Sequence, residues 1–196
     1  MKKRILKTLV ATCMTAMMFV GCTSNGAANE EIKTGDTVKV TDVRGEVEIP
    51  ANPQRIVDLS GNSDILSILG YDVVGTANSD AYDYTKFPSY LEETLKGAEI
   101  LGYSMQDTMD VEAVMNLNPD LIVISTVQEK MYDQLSEIAP TVMIQLEALN
   151  WKEDVRALGK VFGKEDVANE WIANYEAKAK EAGDTIKAKY GDDTTY

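Results

Sequence analysis

The chain of 196 residues contains no histidine, and this absence removes several classes of chemistry. Serine and cysteine nucleophiles that need a histidine base are excluded, and so are zinc or manganese sites built on imidazole. The phosphate-binding motifs are missing too, since no G-x-G-x-x-G occurs and Thr76 follows Gly75 where a P-loop requires lysine. Ser60, in the run LSGNS, lacks the G-x-S-x-G turn of a nucleophile elbow. We therefore expect a protein that is not an enzyme.

Basic residues are scarce, with 19 Lys and Arg against 32 Asp and Glu. Four of the 19 fall in the first seven residues, so a chain that loses its start keeps 15 and has a net charge of −17. Such an acidic body argues against nucleic acid as a partner, because nucleic acid requires a basic surface. It also argues against electrostatic adhesion to anionic lipid, so any attachment to a membrane has to be covalent.

The two cysteines, Cys13 and Cys22, both lie near the start. Residues 1–21 join a basic start to an apolar run that is shorter than the roughly 20 residues of a membrane span, and this pattern predicts a secretory signal peptide. The end of the run, FVGC at 19–22, resembles the lipobox of bacterial lipoproteins. The resemblance implies that Cys22 carries lipid and that residues 22–35 form a flexible tether. We expect the protein on the extracytoplasmic face of the cell membrane.

Short apolar runs alternate with helical patterns over residues 36–162. A hairpin is predicted over 36–50, and five short strands then alternate with helices over short connections. Strands near RIVDLS, VVG, IL at 100–101, DLIVIS and TVMIQ predict an α/β fold, a Rossmann-like lobe whose parallel sheet is covered by helices on both faces.

Ligands of such sheets bind beyond the carboxyl ends of the strands. The residues that follow the predicted strands are unusually polar, amidic and aromatic, and tyrosine offers a flat apolar face with a hydrogen-bonding tip. The candidate ligand-binding residues are Ser60, Asn62, Asn78, Tyr82, Tyr84, Tyr103, Met105, Gln106, Thr126, Gln128 and Lys130.

A long helix is predicted over residues 163–191, with 192–196 after it. Val167, Trp171, Tyr175, Ala179, Ala182 and Ile186 form one stripe. About 26 residues at 1.5 Å each give roughly 39 Å, more than the thickness of a small domain. We therefore expect the apolar face beyond Ala182 to have a partner.

Four segments identify a family resemblance: PQRIVDLSGNSDILSILGYDVVGTA at 53–77, MDVEAVMNLNPDLIVIS at 109–125, YDQLSEIAPTV at 132–142, and the run from 151 to 182. From about residue 54 the chain resembles the N-terminal half of the iron-siderophore and vitamin B12 substrate-binding proteins of bacterial ABC importers. The resemblance implies two lobes joined by a spine helix. Here the second lobe is expected to be absent, with residues 36–162 as the first lobe, 163–191 as the interlobe helix and 192–196 as a truncated end.

The resemblance also implies partners and roles. A ferric siderophore is the expected ligand, and its iron(III) arrives already chelated, so the protein needs no cofactor of its own. Family members carry a docking carboxylate six residues before the glycine that ends the first helix. Counting back from Gly70 gives Asp64, which is implied to pair with the ABC-importer permease, although an acidic residue in the first turn also favours the helix N-terminus by itself.

Several ligands stay open. Only Lys86 and Lys130 are expected near the crevice, which favours a chelate of little negative charge, of the hydroxamate type. Cobalamin and haem are alternatives within the same family, and Met105, Tyr82, Tyr84 and Tyr103 are the candidate axial ligands for haem. A surface lipoprotein without a transport role is the alternative from another class.

Overall fold

The computed structural model describes residues 35–80, 82–145 and 150–191. The predicted signal peptide, Cys22, nearly all of the predicted tether and residues 192–196 lie outside these ranges, and so does residue 81.

A parallel sheet of five strands forms the centre of the described chain. The strands are β3 (Ile56–Asp58), β4 (Val73–Asn78), β5 (Glu99–Tyr103), β6 (Leu121–Ser125) and β7 (Thr141–Ile144). Their order in the sheet is β5-β4-β3-β6-β7, and each neighbouring pair is parallel. The predicted fold class and the number of strands are confirmed.

The predicted hairpin consists of β1 (Thr37–Asp42) and β2 (Gly45–Pro50), paired antiparallel. Asp42 closes its turn, because Oδ1 accepts hydrogen bonds from Arg44 N and Gly45 N. The same carboxylate accepts one from Met143 N at 2.7 Å, and Val43 N donates to the Met143 carbonyl at 3.2 Å. The hairpin therefore satisfies part of the edge of β7, which would otherwise offer unpaired backbone groups.

The helices are α1 (Ser63–Ile68), α2 (Val111–Asn116), α3 (Tyr132–Ser136), α4 (Trp151–Val161) and α5 (Glu165–Tyr190). A 3-10 helix (Thr126–Met131) leads into α3. Asp110 and Asn150 cap α2 and α4 with their side chains, as their residue types favour. Asn62 occupies the N-cap position of α1, but its side chain makes no capping bond.

Two apolar layers cover the sheet, as predicted. On one face Ile56, Leu121 and Val123 pack in a cluster with side chains of α1, α4 and α5. On the other face Val57 and Ile122 pack in a cluster with α2 and α3, including Val114 and Leu135. β6 is buried along its whole length, so it carries no polar alternation, as expected for a strand covered on both sides.

The long helix is confirmed as α5, with 26 residues. Its buried residues are Ala168 and Ile172, whereas Val167, which the sequence placed on the packing stripe, is 39% exposed. Gly159 of α4 explains the difference, because a Cβ there would lie 2.7 Å from the Ala168 Cβ. The two helices thus meet closely at Ala168. None of the described helices has the length and apolar character needed to cross a membrane.

We expect the two halves of α5 to differ in their contribution to stability. Ile172→Ala removes a buried side chain and should lower the free energy of unfolding by about 2–5 kcal/mol. Ile186→Ala, the same change on the half-exposed distal part of the helix, should cost well under 1 kcal/mol. Urea unfolding of both variants measures the difference. Equal losses would contradict it and would show that the distal half is packed as well.

Candidate functional site

The carboxyl end of the sheet carries four segments, which follow β3, β4, β5 and β6. In the sheet order, β3 has β4 on one side and β6 on the other. From β3 the chain continues to β4, and from β6 it continues to β7 on the opposite side, so it leaves β3 and β6 in opposite directions. A topological switch point of this kind is where parallel sheets bind their ligands. Every predicted ligand-binding residue lies in one of these four segments or at the end of its strand.

A buried carboxylate organises the segment after β3. Asp58 Oδ1 accepts hydrogen bonds from Ser60 N at 2.9 Å and Ser60 Oγ at 2.5 Å. Its Oδ2 accepts one from Ser63 Oγ at 2.6 Å, and that hydroxyl also lies 2.7 Å from Thr76 Oγ1. Asn62 Nδ2 donates to Ser60 Oγ at 3.1 Å. Ser60, predicted as a ligand contact, is 3% exposed and here holds the loop together.

Asp58 is fully buried. Burial raises the pKa of its carboxyl above the usual value, although the hydrogen bonds from Ser60, Ser63 and Asn62 oppose that shift. The signal for this role in the sequence is the position of Asp58, a charged residue inside the apolar run IVDL.

Asn78 has a comparable role after β4. Its side chain is 4% exposed, Nδ2 donates to the carbonyls of Tyr84 and Lys86, and Oδ1 accepts from Asp80 N at 3.2 Å. The amide thus folds the following loop back onto the sheet. This leaves Asn78 little surface for a ligand.

The tyrosines of the site keep accessible surface, with Tyr84 exposed and Tyr103 half-buried. Tyr84 and Tyr103 stack with their ring centroids 5.9 Å apart and an interplanar angle of 28°. Met105 is 54% exposed beside them in sequence, and Tyr82 is fully exposed. The structure therefore brings together two of the predicted tyrosines, from the loops after β4 and β5, as one apolar surface.

The segments after β5 and β6 are joined to each other. Gln106 is exposed, and its Oε1 accepts a hydrogen bond from Tyr103 N at 3.2 Å. Thr126 is half-buried at the start of the 3-10 helix. Gln128, in contrast, has no exposed surface, and both its amide atoms are hydrogen-bonded within the protein. As the structure stands, Gln128 has no atom with which to contact a ligand.

Both lysines expected near the crevice are paired with carboxylates. Lys130 Nζ lies 3.1 Å from Asp107 Oδ2, and Lys86 Nζ lies 3.0 Å from Asp83 Oδ2. The Asp83 pKa is lowered by hydrogen bonds from Thr85 and Lys86. The positive charges of these loops are therefore partly compensated before any ligand binds.

Asp64 lies in the first turn of α1 beside an aromatic groove of about 300 Å³. Trp151, Trp171 and Tyr175 line the groove, with ring centroids 4.8 to 5.8 Å apart. Desolvation by the surrounding protein raises the pKa of the Asp64 carboxyl, while the hydrogen bond from its neighbour Ile65 N lowers it. The two tryptophans belong to different helices, Trp151 to α4 and Trp171 to α5, and only the packing of α4 on α5 unites them.

A family model described as periplasmic binding protein matches residues 64–196. The probable siderophore-binding lipoprotein YfiY of Bacillus subtilis is 35% identical over 198 residues, covering 99% of this chain and 58% of that protein. The iron(3+)-hydroxamate-binding protein FhuD of the same organism is 34% identical, covering 87% of this chain and 51% of that protein.

One similar solved structure is that of Staphylococcus aureus SirA complexed with staphyloferrin B. It is 35% identical, with a TM-score of 0.62, and the match covers 80% of this chain and 52% of that chain. The chain thus spans about half the length of the relatives that it matches.

The buried Asp58 generates a prediction for the pH dependence of stability. Because its folded pKa is raised, the native state takes up a proton at a higher pH than the unfolded chain does. The free energy of unfolding of the wild type, relative to Asp58→Asn, should therefore increase as the pH falls from 8 towards 4. Urea unfolding at several pH values measures this difference, with Asp72→Asn as a control for the loss of one exposed charge. A difference that grows with rising pH would contradict it.

Proposed function

Because the chain belongs to the periplasmic binding protein family, we propose that it acts as the substrate-binding lipoprotein of an ABC importer for an iron(III)-siderophore. The lipid on Cys22 tethers it to the extracytoplasmic face of the cell membrane. It captures the chelate and delivers it to the permease. The names of the similar proteins, two of which refer to a siderophore or a ferric hydroxamate, support this proposal.

The observation that carries the proposal is an accessible aromatic surface above a buried, hydrogen-bonded polar base. Tyr84 and Tyr103 form a stacked pair, and Met105 adds a polarisable thioether. Below them Asp58, Asn78 and Gln128 are buried and hydrogen-bonded, so the loops are held before a ligand arrives. Such preorganisation reduces the entropy that binding has to overcome.

The proposed roles of the predicted residues follow their exposure. Side chains with accessible surface contact the chelate directly, and these are Tyr82, Tyr84, Tyr103, Met105, Gln106, Thr126 and Lys130. Ser60, Asn78 and Gln128 shape the loops from within, and Asn62 supports Ser60. The iron itself stays in its chelate. In the described ranges no three His, Cys, Asp or Glu side chains converge in a way that could hold a metal ion.

The charge of the site favours a particular ligand type. An anionic ferric chelate requires cationic partners, and Lys86 and Lys130 are already paired with Asp83 and Asp107. A hydroxamate chelate, with little or no negative charge, fits this lobe better. We propose that a second lobe closes over the ligand from the opposite side, since one open surface gives a fast dissociation rate.

Binding of the ferric trihydroxamate iron(III)–desferrioxamine B tests the proposal, by equilibrium dialysis in parallel with haem and cyanocobalamin. We expect retention of the ferric trihydroxamate. Tyr103→Ala should raise the Kd for the ferric trihydroxamate about tenfold, because an aromatic contact contributes about 1.5 kcal/mol. Tyr190→Ala, an exposed tyrosine at the end of α5, should leave the Kd unchanged. Preferential binding of haem or cyanocobalamin would show that this compound, and not a siderophore, is the ligand. Binding of none of the three would favour a lipoprotein without a transport role.

Docking on the permease is proposed for Asp64. Its carboxylate lies on an apolar groove, where an incoming cation finds both a charge and aromatic faces. Asp64→Asn should abolish uptake of the ferric chelate by cells while the Kd of the purified protein stays unchanged. Asp64→Glu should retain uptake, and Asp72→Asn serves as the surface control. Loss of ligand affinity in Asp64→Asn would show that the residue belongs to the ligand site instead.

A further inference from the structure

Gln128 is the one amide side chain among the described buried residues that spans two of the site loops from within. It lies three residues after Ser125, at the third position of the 3-10 helix, and its exposure is 0%. Oε1 accepts hydrogen bonds from Ser125 N at 3.0 Å and Ser125 Oγ at 2.9 Å. Nε2 donates to the carbonyls of Ser104 at 2.5 Å and Gln106 at 2.9 Å. Both N–H donors and both acceptor sites of the Gln128 amide are thus used.

Only the two hydrogen bonds to Ser125 join Gln128 to a residue near it in the sequence. The bonds to Ser125 form a capping box, which starts the 3-10 helix. A glutamate at this position would supply the same acceptor, since capping boxes use Glu or Gln alike. The bonds to Ser104 and Gln106 reach residues that lie 24 and 22 positions away in the sequence. They require an N–H donor, which the amide of glutamine has and the carboxylate of glutamate lacks.

These two bonds join loops that the sheet cannot join. β5 and β6 are separated by β4 and β3, so no ladder of backbone hydrogen bonds relates their ends. Ser104 extends the connection, because its N–H donates to the Asn78 carbonyl at 2.9 Å. Its side chain also fills the space beside Gly61, where a Cβ would lie 2.7 Å from Ser104 Oγ. One buried amide therefore supports the turn against which the loops after β3 and β4 pack.

The turn that Gln128 holds carries three of the proposed ligand contacts. Met105 and Gln106 are exposed, Tyr103 is half-buried, and the two carbonyls that accept the Gln128 bonds belong to Ser104 and Gln106 of this turn. The ion pair between Lys130 and Asp107 spans the same two loops, but it is exposed and screened by solvent. Gln128 is thus the buried connection between them, and Met131 adds a weaker one through Met109 N.

We propose that Gln128 is a positioning residue, which fixes the Tyr103–Gln106 turn against the 3-10 helix and thereby sets the geometry of the aromatic ligand surface. The assignment of a ligand rests on the proposed function. The mechanical connection itself does not, because it exists in the protein without ligand.

Three variants test this. Gln128→Glu keeps the shape and the acceptor for Ser125, but it places a carboxylate oxygen against two carbonyl oxygens. Gln128→Met keeps the approximate volume and removes all the hydrogen bonds. Gln54→Glu adds the same charge at an exposed glutamine near the opposite end of β3 and serves as the matched control.

The first readout is hydrogen exchange of the intact protein without ligand. Gln128→Glu and Gln128→Met should increase exchange in residues 100–109 at least tenfold, while the hairpin of residues 37–50 exchanges as in the wild type. Gln54→Glu should change neither segment. Unchanged exchange at 100–109, or an equal increase in the hairpin through global destabilisation, would overturn the proposal.

The second readout is the Kd for iron(III)–desferrioxamine B between pH 5 and 8. Gln128→Glu should bind at least tenfold more weakly at pH 8. It should recover part of this loss at pH 5, because a protonated glutamic acid donates to one of the two carbonyls. Gln128→Met should show the weaker binding without the recovery. The exposed groups Asp107, Glu129 and Lys130 are common to all variants. Dividing the Kd of Gln128→Glu by the Kd of Gln128→Met at each pH therefore removes the effect of their titration.

The two readouts separate the proposal from the function on which it rests. If the wild type binds no ferric trihydroxamate, the proposed ligand is wrong, and the exchange measurement alone decides whether Gln128 holds the turn. If the wild type binds and both Gln128 variants bind equally well, Gln128 does not position the ligand surface.

Discussion

The parallel pairing of β3 with β4 on one side and β6 on the other is the constraint on which the other features depend. It buries Ile56 and Val57 on opposite faces, so each face acquires its own apolar layer and its own helices. It also brings the ends of β3 and β6 side by side, while the chain departs from them in opposite directions. The segments that follow these strands therefore border one crevice, although they are more than 60 residues apart in the sequence.

The loops at this crevice are stabilised from below by polar groups that water does not reach. Asp58, Asn78 and Gln128 are each buried, and each is hydrogen-bonded to backbone or hydroxyl groups of the segment that it supports. A buried polar group that loses its partner is costly, so these bonds specify one arrangement of the loops strongly. Above them Tyr84 and Met105 are exposed and Tyr103 is half-buried, and the segments that carry these side chains are held from below. The described residues of these loops thus divide into an inner polar set and an outer aromatic set.

Much of the fold could be predicted from the sequence, for local physical reasons. The apolar run of β6 and the two runs of the hairpin each determine an element without reference to the rest of the chain. The loops of the site could also be located, because the carboxyl ends of parallel strands share one edge. The inward face of α5 could not, since Gly159 of another helix decides that Ala168 and not Val167 packs against α4. Nor could the aromatic groove beside Asp64, which needs two helices to meet.

The sequence by itself determined the α/β class, the strand count, the long last helix and the set of loops that border the crevice. Its lack of histidine and its acidic charge restricted the chemistry before any coordinate was known. Only the tertiary structure decided which polar residues face outward. Gln128 and Gln106 have the same side chain, and Gln128 Nε2 donates to the Gln106 carbonyl, yet Gln128 is fully buried and Gln106 is exposed. The reason is physical. The role of a side chain depends on whether folding brings acceptors from distant parts of the chain within hydrogen-bonding distance of its donor, and the local sequence does not show this.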